Sequence, residues 1–253
     1  MRFLKHFIKI IVCAGVIFTC IIPTDVSAAV TTVPNLSMFK RIGVVGDSFA
    51  SGEIVVDGKL QDIYPISWPQ VMGQRYGVCV NNYTKGGLYT GSWLSDAMGS
   101  PRMKKSLPDD LYILALGLND SNAAIPFLGL TYLGSMNDIV GKSGSRQYAN
   151  SFYGNYARII EQIKSHAPNA KIVLVYINLP NEVTQRYNQA ISELAMHYGL
   201  PVINQIDDDF FSSEAYWNME MGHPTQNAYS GMADAYARLI TECVMKYPAY
   251  FAN

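Results

Sequence analysis

Apolar residues gather in five short runs, at 41–45, 77–81, 111–116, 171–177 and 201–204, and the longer stretches between them carry apolar residues three or four positions apart. This alternation of strand-like and helix-like periods predicts a parallel sheet. In 152–166 the residues Tyr156, Ile159, Ile160 and Ile163 share one face and Pro168 follows as a stop, while 182–198 places Ile191, Leu194 and Ala195 in the same way. A final long helix is expected after Pro224, with Met232, Tyr236, Leu239 and Ile240 as its stripe. Right-handed crossovers then give a three-layer α/β/α sandwich around a central parallel five-stranded sheet, with the site formed by loops leaving the carboxyl ends of the strands. The stretch 121–145 lacks a period, and reads either as a surface excursion packed on the rim or as a wall carrying Ile125, Phe127, Leu130 and Tyr132 toward an acyl group.

The first residues have a different pattern. Arg2, Lys5 and Lys9 precede an apolar stretch from 10 to 22, and Val26-Ser27-Ala28 has the small-residue spacing of a cleavage site, so 1–28 is expected to be a signal peptide. The apolar stretch is shorter than the roughly 20 residues of a spanning helix, and Thr19 is too large for the position before a lipidated Cys20, so no stable membrane span is expected after cleavage. Residues 29–39 read as a short linker and 40–253 as the catalytic domain, which places the mature protein outside the cytoplasm.

Of 253 residues 49% are hydrophobic and 15% charged, enough to bury a full core and too apolar for disorder. The formal charge is −1; cleavage would remove three of the 19 basic and one of the 20 acidic residues, leaving −3. With no basic cluster among aromatics, nucleic acid is not an expected partner. Cys13 and Cys20 leave with the signal. Export permits a Cys79–Cys243 disulfide, yet two cysteines so far apart serve equally well as separately buried small hydrophobes. His166 and His197 lie in expected helices without partners at ligand spacing, so no metal and no organic cofactor is implied.

Chemistry concentrates at the strand ends. Gly46-Asp47-Ser48 follows the first run, and a serine on a tight turn leaving a buried strand exposes its hydroxyl as a nucleophile. Asp47 is expected to serve the turn by accepting local N–H groups. After the second run comes Asn82-Tyr83-Thr84-Lys85-Gly86-Gly87, after the third Gly117-Leu118-Asn119-Asp120, and before the last helix His223-Pro224. Asn119 offers a side-chain amide and Gly87 an unobstructed N–H to an oxyanion, while a late histidine can fold back as base. Taken singly, each is an ordinary turn. No Gly-x-Ser-x-Gly elbow, Walker A loop or Gly-x-Gly-x-x-Gly fingerprint occurs, which excludes α/β-hydrolase and nucleotide-binding readings.

With these four stretches in this order, the chain resembles the SGNH subfamily of GDSL-type esterases and lipases over roughly 40–246. The resemblance implies a flavodoxin-like sandwich, Ser48 as nucleophile, Ser48 N–H, Gly87 N–H and the Asn119 amide as oxyanion hole, and His223 as general base. Phe49 stands where the family name has leucine. Glu220 stands where the family has an aspartate three residues before the histidine, so a Ser-His-Glu triad is expected. A Ser-His dyad oriented by a backbone carbonyl, or an acid from Asp207, Asp208 or Asp209, are the alternatives. The implied function is an exported esterase acting on acyl or O-acetyl esters of lipids or glycans. Transfer of the acyl group to a carbohydrate, and a non-catalytic binding module on the same fold, are the competing readings. Trp68, Trp93 and Trp217 are available to stack on sugar rings, although aromatic side chains more often fill a core. Nothing in the sequence sets the oligomeric state.

Overall fold

A computed structural model describes residues 34–139 and 148–252; the signal peptide expected at 1–28 lies outside them. Five parallel strands build the central sheet: β1 (Arg41–Gly46), β4 (Cys79–Thr84), β5 (Leu111–Ala115), β6 (Lys171–Val175) and β7 (Val202–Ile203), ordered β4-β1-β5-β6-β7. Two small hairpins accompany it, β2 (Glu53–Val56) with β3 (Lys59–Asp62), and β8 (Met219–Glu220) with β9 (His223–Pro224).

Successive strand residues point to opposite faces, and this alternation divides the core in two. Tyr112, Leu114, Ile172 and Leu174 pack with the helices Phe152–His166 and Glu182–Tyr198. Ile42, Val44, Ile113 and Val173 pack on the other face with Trp68–Tyr76 and Gln226–Lys246. These are the expected sandwich and the expected long helices. Leu36 and Phe39, within the stretch read as a linker, are buried in the second core, and Asn35 N–H donates to Thr241. The Cys79 and Cys243 thiols are free. Among the described residues no helix is long and apolar enough to cross a membrane.

The second strand runs further than its apolar residues suggest, to Thr84 instead of Asn81. Its polar side chains are paired inside the fold: Asn82 donates to Ala50 O and Ser67, Thr84 donates to Asn82, and the Tyr83 hydroxyl donates to Asp109. A strand whose polar groups are satisfied internally loses its hydrophobic signature without losing its register.

Candidate active site

β1 lies between β4 and β5, so the chain crosses from one side of β1 to the other and opens a crevice at their carboxyl ends. Ser48 enters that crevice on a sharp turn. Gly46 permits it, because a Cβ there would lie 2.8 Å from the Ala50 Cβ. Asp47 caps the following helical turn by accepting from Phe49 N–H at 3.1 Å. Burial pushes the Asp47 carboxyl up to about 7, helped by Asp120 and Glu53 and opposed by the Phe49 N–H. The Ser48 side chain has no hydrogen-bond partner among the described residues, and Ser48 lines a cavity of about 490 Å³.

Asn119 and His223 line the same cavity, with Leu118, Ser121, Leu179 and Gly222 among its other walls. Asn119 is held by one amide hydrogen, donated to Leu88 O at 2.9 Å, which leaves the other free. The next residue, Asp120, is fully buried and accepts from Thr90 N–H at 3.0 Å and from the Thr90 hydroxyl at 2.5 Å. Burial pushes its carboxyl up to about 7, against the pull of the Thr90 donors. These bonds tie the loop after β5 to the loop after β4. Gly87 sits on the latter loop at φ 75°, exposed, with no hydrogen bond to its N–H, and stands outside the lining of the Ser48 cavity. Of the expected site residues, the fold therefore gathers Ser48, Asn119 and His223 around one space.

Glu220 is not brought to the His223 ring. The two residues pair through their backbones across the β8–β9 turn, and the Glu220 side chain is exposed and without a polar partner. The turn is closed by Met221 and Gly222, both at positive φ, 47° and 76°. His223 Nδ1 instead lies 3.1 Å from Met221 O, and Nε2 lies 2.9 Å from a Glu53 carboxylate oxygen. The other candidate acids are engaged elsewhere: Asp208 pairs with Arg238 at 2.5 Å and Asp207 accepts from Asn204 at 2.6 Å, while Asp209 is exposed in the following helical turn.

Glu53 is the residue that sequence reasoning passed over. It opens the β2–β3 hairpin, whose turn residues Asp57 and Gly58 have φ of 51° and 73°. Asp-Gly between Ile54-Val55-Val56 and Leu60 is the short-range sequence signal for a two-residue hairpin, and reading it would have placed this element beside the nucleophile turn. The far end of the hairpin, Asp62, accepts from the Ser51 hydroxyl and from Gly86 N–H at 3.0 Å. The Tyr229 hydroxyl lies between the carbonyls of Ser48 and Glu53, at 3.1 and 2.9 Å. Glu53 itself is pressed between His223 and Gly86, where a Cβ would come within 2.4 Å of its carboxylate. Burial raises its pKa and Asp62 adds to the rise, while His223 draws it down.

The described part of the aperiodic segment after β5 divides. Ser121, Asn122 and Ala123 line the Ser48 cavity, Tyr132 is core, and Phe127 and Leu130 face outward at 67% and 46% exposure. Trp93 is buried and donates to Tyr83 O. Among the described residues, no three His, Cys, Asp or Glu side chains converge as a metal site.

Comparison with known proteins agrees with this architecture. The psychrotrophic esterase EstA from a Pseudoalteromonas species superposes with a TM-score of 0.57 at 14% identity, over 83% of this chain and 99% of that one. A carbohydrate esterase family 2 enzyme with a carbohydrate-binding domain, from Corynascus thermopiles (Myceliophthora fergusii), does so with a TM-score of 0.56 at 15% identity, over 85% of this chain and 68% of that one. At such identities the likeness is one of fold. No curated protein sequence matches the chain. The model of the GDSL-like Lipase/Acylhydrolase family matches residues 44–230. That match spans most of the chain and includes Ser48, Asn119 and His223, so the chain belongs to the GDSL-like lipase/acylhydrolase family and is a carboxylic ester hydrolase.

Proposed function

We propose that the chain is an exported serine esterase in which Ser48 attacks the ester carbonyl and His223 receives its proton. The observation that carries this reading is the common cavity of Ser48, Asn119 and His223, which come from three distant stretches of chain. Met221 O can only accept, so Nδ1 carries a hydrogen, and the 2.9 Å contact of Nε2 with Glu53 needs one more proton between them; with that proton on Glu53, whose pKa burial raises, the ring is neutral and Nε2 is its basic atom. When ester is bound, Nε2 leaves that proton on Glu53 and turns to the Ser48 hydroxyl, and the nearby Glu53 side chain supports the imidazolium that forms. The orienting group is thus the Met221 carbonyl, in a Ser-His pair supported by Glu53, while Glu220 stays in solvent.

As the Ser48 oxygen bonds to the acyl carbon, the carbonyl oxygen becomes an oxyanion. Its donors are Ser48 N–H and the free amide hydrogen of Asn119, and the third is Gly87 N–H, unused and on the neighbouring loop, which must come to the cavity from outside its present lining. Return of the His223 proton expels the alcohol, and a water activated by the same nitrogen releases the acid from the acyl-enzyme. Export rests on the charged, apolar and small-residue pattern of residues 1–28. Ser48→Ala should lose both hydrolysis of an activated ester and labelling by a serine-reactive fluorophosphonate. Wild-type turnover in that variant would end the assignment.

A further inference from the structure

Next to the Ser48 cavity lies a second chamber of about 300 Å³. Phe49, Leu118, Leu179 and Gly222 line both, so the two spaces share a wall. The Phe49 ring forms part of that partition, 5.8 Å from the His223 ring. The floor of the chamber is formed by Ala115 and Val175 at the carboxyl ends of β5 and β6, and Trp68, Met232 and Trp217 close its sides.

The polar residues at its edge have partners within the protein. Gln205 donates to Tyr176 O and accepts from the Tyr236 hydroxyl, Asn178 donates to Phe211 O, and Asp47 accepts from Phe49 N–H. A guest therefore meets apolar surface and few unused hydrogen-bonding groups, which selects hydrocarbon over a sugar ring. Counting a methylene as about the size of a water, roughly 30 Å³, the chamber has room for about ten carbons. Acetyl would leave it empty.

We propose that this chamber takes the acyl chain and that the substrates are esters of medium-chain carboxylic acids, with Phe49 as the residue the chain passes. The proposal rests on Ser48 as nucleophile for its catalytic meaning, but the chamber can be tested without turnover. Enlarging Ala115, which lines the chamber and is half-buried, should fill it; trimming Trp217, which is 38% exposed, should open it at the cost of one ring contact with Tyr216.

The experiment measures kcat/KM on p-nitrophenyl acetate, butyrate, octanoate and laurate for the wild type, Ala115→Leu and Trp217→Ala, with thermal melts to check folding. The wild type should prefer octanoate to acetate by at least tenfold. Ala115→Leu should lower that ratio tenfold or more while keeping acetate turnover, and Trp217→Ala should move the optimum toward laurate. In parallel, octanoate but not acetate should change the tryptophan fluorescence of Ser48→Ala, and Ala115→Leu added to that background should weaken the effect. A wild type that prefers acetate, or chain-length ratios unmoved by the folded variants, would overturn the proposal. If no ester is turned over, the octanoate titration decides the chamber by itself: binding weakened by Ala115→Leu upholds it, and no binding refutes it, while the Ser48 assignment falls separately.

Discussion

Ser48 is 4% exposed as a residue, yet it lines an open cavity, so its hydroxyl is held inside the fold facing a space that a substrate can enter. The residues around Ser48 are each anchored: Asn119 by Leu88 O, and His223 by Met221 O and Glu53. This arrangement predicts an order of effects in kcat/KM on an activated ester. His223→Ala should cost about 10²- to 10⁴-fold, and Asn119→Ala about 10²- to 10³-fold through loss of one oxyanion donor. Glu53→Ala should cost clearly less than His223→Ala, since the carboxylate acts through the ring, and Glu220→Ala should be close to wild type. A Glu220→Ala loss as large as that of His223→Ala would return the acid role to Glu220. Ser48, Asn119 and His223 are legible as candidates from the order in which their turns follow one another along the chain, since each turn taken singly is ordinary. Glu53 is not, because a glutamate at the start of a hairpin looks like any solvated carboxylate until the chain folds it under a histidine.

Two elements set where these side chains stand. The β2–β3 hairpin presents Glu53 to His223 and fastens itself through Asp62 to Ser51 and Gly86, while the Gln226–Lys246 helix reaches back through Tyr229 to the carbonyls of Ser48 and Glu53. Tyr229→Phe should therefore destabilise the fold by about 0.5–1.5 kcal/mol, since the Glu53 carbonyl loses this donor while the Ser48 carbonyl keeps Gly52 N–H and the Ser51 hydroxyl, and should also lower kcat. Denaturant unfolding and steady-state kinetics on the same preparation check both parts. Gly86→Ala makes a more local prediction. Its Cβ would meet the end of the flexible Glu53 side chain at 2.4 Å, so the carboxylate moves and the backbone stays. The variant should melt near the wild type and share the kinetic phenotype of Glu53→Ala; full activity would show that the Glu53 contact does not matter. The long helices are legible from their 3.6-residue period, whereas the end of β4 has no apolar signature because buried Asn82 and Thr84 answer one another's polar groups.

Across the whole molecule, burying Asp47 and Asp120 beneath the site makes stability depend on pH. Each carboxyl has an ordinary value of 3.8 and is raised to about 7 in the fold, mainly by burial. A raised carboxyl leaves the folded state binding more protons than the unfolded one, so its contribution is full below pH 3.8 and is lost as the pH climbs toward about 7. Asp120→Asn removes one such group, while its amide oxygen can still accept from Thr90. Its melting temperature relative to the wild type should therefore rise between pH 4 and pH 7, and a flat difference would contradict this account of Asp120. The sequence by itself determined the sandwich, since the alternation of period-two and period-3.6 stretches is a local property that survives in any unfolded copy of the chain. It also picked out Ser48 and Asn119, at strand ends where a turn must occur, and His223, before the last helix, as candidates for nucleophile, amide donor and base. Only the tertiary structure decided what touches the His223 ring. Glu220 is three residues away and turned to solvent, whereas Glu53 is 170 residues away and 2.9 Å from Nε2. It likewise decided that an apolar chamber lies against the Ser48 cavity, across a wall that includes Phe49, because a cavity belongs to the spacing of packed elements and not to any one of them.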